Sequence, residues 1–162
     1  MGRDTIGAEM DTPDVGRSGQ PLPEPVTEIP EEECWRLLRM HDLGRVAVVI
    51  DGRPEIFPVN YVAGDGAVVF RTAPGAKLAH GPMTQSCFEI DGWDSRTGSG
   101  WSVMVHGVIS EITDAVDERA ERLRSLPVQP FAPGERRHWL ALYTNEVTGR
   151  RFTSGTLAPP AP

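Results

Sequence analysis

Three turn signals fall close together in the middle of the chain: Asp51-Gly52, Gly64-Asp65-Gly66 and Pro74-Gly75. Between them lie runs rich in β-branched and aromatic residues, RVAVVI, RPEIFPVNYVA and GAVVFRT. An Asp-Gly pair is a strong hairpin connection because both positions of the tightest turn need positive φ, which glycine and short Asp or Asn side chains tolerate best. Loops this short leave no room for the crossover that parallel strands require, so the three runs are expected to lie antiparallel and consecutive.

Further runs of the same kind follow. QSCFEIDGW and WSVMVHGVISEIT flank a polar loop, DSRTGSG, and RHWLALYT comes after a proline-rich stretch. Helical signals are few. IPEEECWRLLRMHDLGR reads as a helix: Pro30 suits its first turn, Glu31 to Glu33 complement the dipole, and Cys34, Leu37, Leu38 and His41 share a face, with Gly44 ending it. A short helix is expected over residues 76–80. Another is expected from a cap at Asp114 through Leu126, with Val116, Ala120 and Leu123 at helical spacing and Pro127 as its stop. Six strands joined by tight turns, with peripheral helices, predict a mainly β fold: a small closed or nearly closed β-barrel.

Composition places this barrel within the chain. Residues 1–26 hold four prolines, four glycines, five acids and no aromatic residue, too little apolar surface to offset chain entropy. They are expected to form a disordered acidic arm, with room for a protein partner. Residues 27–152 form the expected barrel domain, and 153–162 an unstructured tail. The arm concentrates the charge: of the net −7, −4 falls in residues 1–29, where two arginines face six acids. What remains is near neutral and lacks the basic stripe of a nucleic-acid binder. No apolar run approaches the roughly 20 residues of a membrane-spanning helix. Cys34 and Cys87 sit in apolar elements and no secretory signal is readable, so a reduced, cytoplasmic protein is expected.

Basic residues give the first chemical clue. Fifteen arginines accompany a single lysine, Lys77, which follows Arg71 and Thr72 across the Pro74-Gly75 turn. A strand that delivers Arg71 and Thr72 to its end, followed by a helix start with free N–H groups beside Lys77, is a phosphate cradle: arginine grips phosphate as a fork and lysine as a point charge. Two basic residues at a turn are more often simply solvated, and the motif alone is weak.

The stretch LGRVAVVIDGRPEIFPVNYVAGDGAVVFRTAPGAKL, continued by GWSVMVHG and HWLALYTNEVTGRRF, closely resembles the pyridoxamine 5'-phosphate oxidase-like family of FMN-binding split β-barrels, in particular its short bacterial branch. The resemblance covers nearly all of residues 28–152. It implies a homodimer packed barrel to barrel with a flavin at each interface. It also implies that Pro58, Val59 and Asn60 lie along the isoalloxazine, that Arg71, Thr72 and Lys77 hold the FMN phosphate, and that Trp101 and Ser102 contact the ring. A ligand beside Pro58 would account for a proline within a strand, where it cannot donate to the ladder. By this resemblance the protein is a flavin-dependent reductase of small electrophilic substrates. Some relatives bind a deazaflavin or haem instead. The alternative is a flavin-binding or sensing module without turnover, or a barrel that has lost its ligand.

Other chemistries fit less well. The four histidines are scattered, without a His-x-x-x-His or Cys-x-x-Cys pair, which argues against a metal site. No serine stands in a nucleophile-elbow context, and Glu89 with Asp91 alternates along one strand face without a further signal of acid-base catalysis. His106 shares a strand face with Ser102 and Met104, where a rim or interface role is favoured over proton donation.

Overall fold

The computed structural model describes residues 26–73, 84–131 and 134–153. Its elements, in chain order, are β1 (Val26–Glu28), α1 (Glu31–Met40), β2 (Leu43–Ile50), β3 (Arg53–Gly64), β4 (Ala67–Thr72), β5 (Thr84–Asp94), β6 (Ser99–Glu111), α2 (Glu118–Arg124) and β7 (His138–Thr153).

Two of the three predicted turns are present, and the third, Pro74-Gly75, lies outside the described residues. Asp51 and Gly52 have φ of 50° and 75°, and Asp65 and Gly66 have 50° and 68°, the paired positive values of the turn that matches strand twist. They fix the β2–β3 register at Ile50↔Arg53 and the β3–β4 register at Gly64↔Ala67. The sheet runs β1-β7-β4-β3-β2-β5-β6 and closes through a further β6–β7 pairing, so six antiparallel strands form a ring and β1 is added beside β7. Closure removes exposed edges along most of the ring. Among the described residues a long open stretch remains on β3: β4 pairs with it only over Tyr61–Gly64, so Arg53–Asn60 is paired on its β2 side alone. There the barrel splits.

The interior is a single core. Val46, Tyr61, Phe70, Phe88, Val105 and Leu142 are fully or almost fully buried within it, and α1 caps one end through Cys34, Leu37 and Leu38. Tyr61 donates its hydroxyl to the Leu38 carbonyl at 2.8 Å and meets Phe88 edge-on at 4.6 Å between ring centroids. A second cluster lies outside the barrel, where Ala67, Val69 and Ala141 are covered by Ala120 and Leu123 of α2.

Several boundaries differ from the sequence reading. Helix α1 stops at Met40, and Gly44, expected to end it, lies inside β2. A side chain at Gly44 would collide with the Phe88 ring, so this glycine serves packing. Helix α2 is capped by Asp117, whose carboxylate accepts from the Ala120 amide at 2.9 Å, instead of by Asp114; Val116 is 90% exposed and joins no face. The last strand is twice the expected length, running through NEVTGRRFT to pair with all of β6. Strand β1 was not anticipated. It begins at Val26 and β7 ends at Thr153, each one residue inside a segment expected to be unstructured. The short helix over residues 76–80 falls outside the described residues. Among those described, no helix is long and apolar enough to cross a membrane.

Candidate functional site

Strand alternation decides what each predicted site residue faces. Tyr61 donates its amide to the Asp42 carbonyl at 3.0 Å, which sets the phase of the β2–β3 ladder: the pairs Gly44–Val59 and Val46–Phe57 exchange backbone bonds, and Arg45–Pro58 does not. Pro58 and Pro54 therefore point their missing N–H toward the open edge, where no ladder bond is lost. The barrel split, without a ligand, already accommodates both prolines.

The same alternation divides the predicted set. Val59 and Trp101 pack on the barrel core, and Thr72 is 5% exposed. Pro58 and Ser102 face outward. The cross-strand row Pro58, Arg45, Glu89, Met104, Thr148 runs over the outer face, and the adjacent row holds Asp91, Ser102 and Arg150. Between Pro58 and the strand of Ser102 lie three inter-strand spacings, about 14 Å. Within one chain they are on one face but apart.

Asn60 stands at the split itself, one step beyond the last β3–β4 pair, Tyr61↔Phe70. Its side chain is already engaged: Nδ2 donates to the Asp42 carbonyl at 3.2 Å, and Oδ1 accepts the Phe131 amide at 2.9 Å. Opposite this point β4 carries Arg71, paired with Trp139 of β7, and the Arg71 guanidinium lies over the Trp139 ring at 4.8 Å. Its Nε is shielded from solvent and has no hydrogen-bond partner. A shielded N–H without an acceptor among the described residues is costly unless an anion completes it, so the Nε of Arg71 fits a phosphate oxygen. Lys77, the other half of the predicted cradle, lies outside the described residues.

Trp101 meets His41 at 5.0 Å between ring centroids, and His41 receives a fixed orientation from the Leu37 carbonyl, 2.9 Å from its Nδ1. Ser102 lines a cleft of about 260 Å³ with Met104, His106 and Arg150. On the other side of His106 a cleft of about 340 Å³ is lined by Ala47, Val49, Pro54 and Cys87. Arg45 bridges the two carboxylates between these clefts, donating to Asp91 at 2.6 Å and to Glu89 at 3.3 Å. Burial, then the Asp91 charge, raise the Glu89 carboxyl above its ordinary range against the pull of Arg45. Among the described residues no group of three His, Cys, Asp or Glu side chains is placed to hold a metal.

A closed six-strand ring split beside β3, capped by one helix, is the architecture expected from the sequence, and a family model described as pyridoxamine 5'-phosphate oxidase matches residues 30–151. The chain belongs to the pyridoxamine 5'-phosphate oxidase-like family. It is similar to the solved FAD binding protein from Mycobacterium smegmatis, at 33% identity over 78% of this chain and 98% of that one, with a TM-score of 0.65. The uncharacterized protein Rv0080 of Mycobacterium tuberculosis is 31% identical over 83% of this chain and 90% of its own length. A protein from Mycobacterium smegmatis named for binding FAD and haem shares the fold at 18% identity and a TM-score of 0.56, covering 85% of this chain and 77% of that one.

Sequence reasoning missed Arg136, whose Nε is likewise shielded and without a partner. It missed Phe131 too, and the use of the Asn60 side chain to hold it. An arginine pair in a loop carries no periodic signal.

Proposed function

We propose that the protein is a flavin-binding oxidoreductase that works as a homodimer on a small electrophilic substrate. The observation that carries this reading is Arg71, a half-buried guanidinium whose shielded Nε has no hydrogen-bond partner among the described residues, at the split of a barrel whose family includes a relative named for binding FAD. A flavin phosphate supplies the missing anion, and FMN is the smallest flavin that has one. When bound, the flavin supplies the redox chemistry. The chain's own residues hold the phosphate, present the edge of β3 to the ring and shield the ring from water.

The outer face supports the dimer. Val49 and Ile56 are 55% and 67% exposed there, beside Met104, Ala47 and the two clefts. A self-complementary two-fold contact would cover this apolar area. It would also place Ser102 of one protomer against the β3 edge of its partner, closing the roughly 14 Å gap within one chain.

The absorption spectrum of the purified protein is the test. The two-band spectrum of an oxidised flavin is expected, bleaching when a nicotinamide donor and an electrophile acceptor are supplied in turn. A Soret band would replace the flavin by haem, and a deazaflavin would show a single band at shorter wavelength. A colourless protein that takes up none of these cofactors would overturn the reading, and bound flavin that stays oxidised would reduce it to a binding module.

A further inference from the structure

A cavity of about 540 Å³, larger than either cleft of the outer face, opens at the end of β4 remote from Arg71, between residues of α1, the β3–β4 turn, α2 and β7. Gly66 lines it, and the next residue, Ala67, is four residues of extended strand from Arg71, about 14 Å, so the cavity is separate from the split. Strand β7 is irregular here. Glu146 stands opposite His106 and Thr144 opposite Gly107, which leaves Asn145 as an extra, unpaired residue. Bulges of this kind re-aim side chains and are over-represented beside functional sites. Thr144, Asn145 and Glu146 all line the cavity.

Charges of both signs are held in its wall. Arg119 donates from Nη2 to the Asp65 carbonyl at 2.7 Å and lies over the Tyr143 ring at 4.7 Å. The Asp65 carboxylate is 3.8 Å from Arg119 Nε and 3.2 Å from Arg122 Nη2, so two guanidiniums share one carboxylate and a positive charge is left uncompensated. On the α1 side the excess is negative. Glu31 accepts the Trp35 indole N–H at 3.3 Å, and neither Glu31 nor Glu146 forms an ion pair among the described residues. Thr144 borders the Arg119 side: its amide donates to the Gly66 carbonyl at 3.2 Å, and a Cβ added at Gly66 would come within 3.3 Å of Arg119 Nη2. Thr144 Oγ1 is shielded from solvent and has no hydrogen-bond partner among the described residues. A shielded hydroxyl left unpaired costs free energy that a bound polar group recovers.

We infer that this cavity binds a free α-amino acid with an apolar side chain. Arg119 takes its carboxylate, Glu31 and Glu146 take its ammonium, Thr144 Oγ1 completes the polar head, and Trp35 with Val147 receives the side chain. A simple anion would leave two carboxylates unanswered, and a simple cation would leave Arg119. A zwitterion answers both, through the charge-assisted bonds that are the strongest of their kind. The site uses none of the residues of the flavin reading and is independent of it.

Isothermal titration of the full-length protein with L-leucine, L-valine and L-phenylalanine tests it, against isoamylamine, which lacks the carboxylate, and 4-methylpentanoate, which lacks the ammonium. At least one amino acid is expected to bind, and each control to bind roughly 10-fold more weakly or not at all, the loss of one charge-assisted contact. Arg119→Gln and Glu31→Gln should each weaken the amino acid by roughly 10-fold. Both residues are exposed, so these variants are expected to fold. Thr144→Val keeps the shape without the hydroxyl. It should weaken the amino acid about three- to ten-fold while raising the melting temperature of the ligand-free protein, a pairing that a purely structural threonine would not give. Isoamylamine binding as tightly as leucine, lost in Glu31→Gln and kept in Arg119→Gln, would make this a cation site and overturn the inference. Amino-acid binding indifferent to Arg119→Gln and Glu31→Gln, or to Thr144→Val, would overturn it too, as would no binding of any of the three amino acids at millimolar concentration.

Discussion

The two outer flanks of the barrel are built from the same alternating strands and end in opposite conditions. On the β4–β7 flank, Ala67, Val69 and Ala141 point outward into a second core, sealed by Ala120 and Leu123 of α2 with Ile112 and Val128. On the β3–β2–β5–β6 flank, Val49, Ile56 and Met104 point outward into solvent, 55%, 67% and 37% exposed. Small residues on the covered side let a short helix lie close. The open side carries larger apolar groups with nothing from the described chain above them, and a charged centre, Arg45 with Glu89 and Asp91. One flank is finished by its own chain; the other has the composition of a surface that another molecule covers.

The largest expected effect lies on the covered flank. Leu123→Ala removes a fully buried side chain from the second core and should cost about 2–5 kcal/mol, read as a lower denaturant midpoint at unchanged slope. Ile56→Ala, an equally apolar truncation on the open flank, should cost under about 0.5 kcal/mol when measured at concentrations low enough to keep the protein monomeric. Similar losses for both would erase the contrast between the flanks.

Charge on the open flank gives the next effect. Under the proposed dimer, Ile56→Asp with Val49→Asp buries unpaired carboxylates at the contact, so light scattering at micromolar concentration should report a monomer of native secondary structure. A variant that remains dimeric would move the contact elsewhere and return the open flank to solvent. Such charges belong at the solvated surface if no partner comes.

How far the sequence foretold this contrast depends on the range of each interaction. Turn chemistry is local, so Asp51-Gly52 and Asp65-Gly66 were readable and set the order and register of the first hairpins. That Arg71 and Thr72 close a strand was likewise legible in the run GAVVFRT. Ring closure was expected from strand count, but its agent was not: β7 continues through Gly149, where a side chain would strike Cys34 and Ile29, and a glycine amid NEVTGRRF reads locally as a turn. Asp117 displaced Asp114 as the cap because the helix start is set by where Ala120 and Leu123 meet Val69 and Ala141, a contact between distant segments. The facing of side chains was not legible: the expected contact of Pro58, Val59 and Asn60 runs through backbone groups, and only the strand's phase shows that the Val59 side chain packs on the core while its two neighbours lie outside.

The smallest effect expected is also the most specific to the open flank. Burial and the neighbouring Asp91 raise the Glu89 carboxyl, and Arg45 only partly offsets them. A carboxyl whose pKa is higher in the folded protein binds its proton more readily there than in the unfolded chain, so its contribution is most favourable below the ordinary carboxylate range and is lost as pH rises through the raised one. A second copy pressed against this face would strip more water from Glu89 and raise it further, making dimerisation take up protons. Dimer affinity, followed by sedimentation across the weakly acidic range, should therefore fall as pH increases. Glu89→Gln keeps the shape and a hydrogen-bond acceptor for Arg45 but cannot titrate, so its dimer affinity should be nearly flat over the same window. Arg45 would then be left with Asp91 as its charged partner, at 2.6 Å the closer of its two carboxylates. A slope that persists undiminished in Glu89→Gln would assign the proton to another group and separate the Arg45 cluster from the dimer contact.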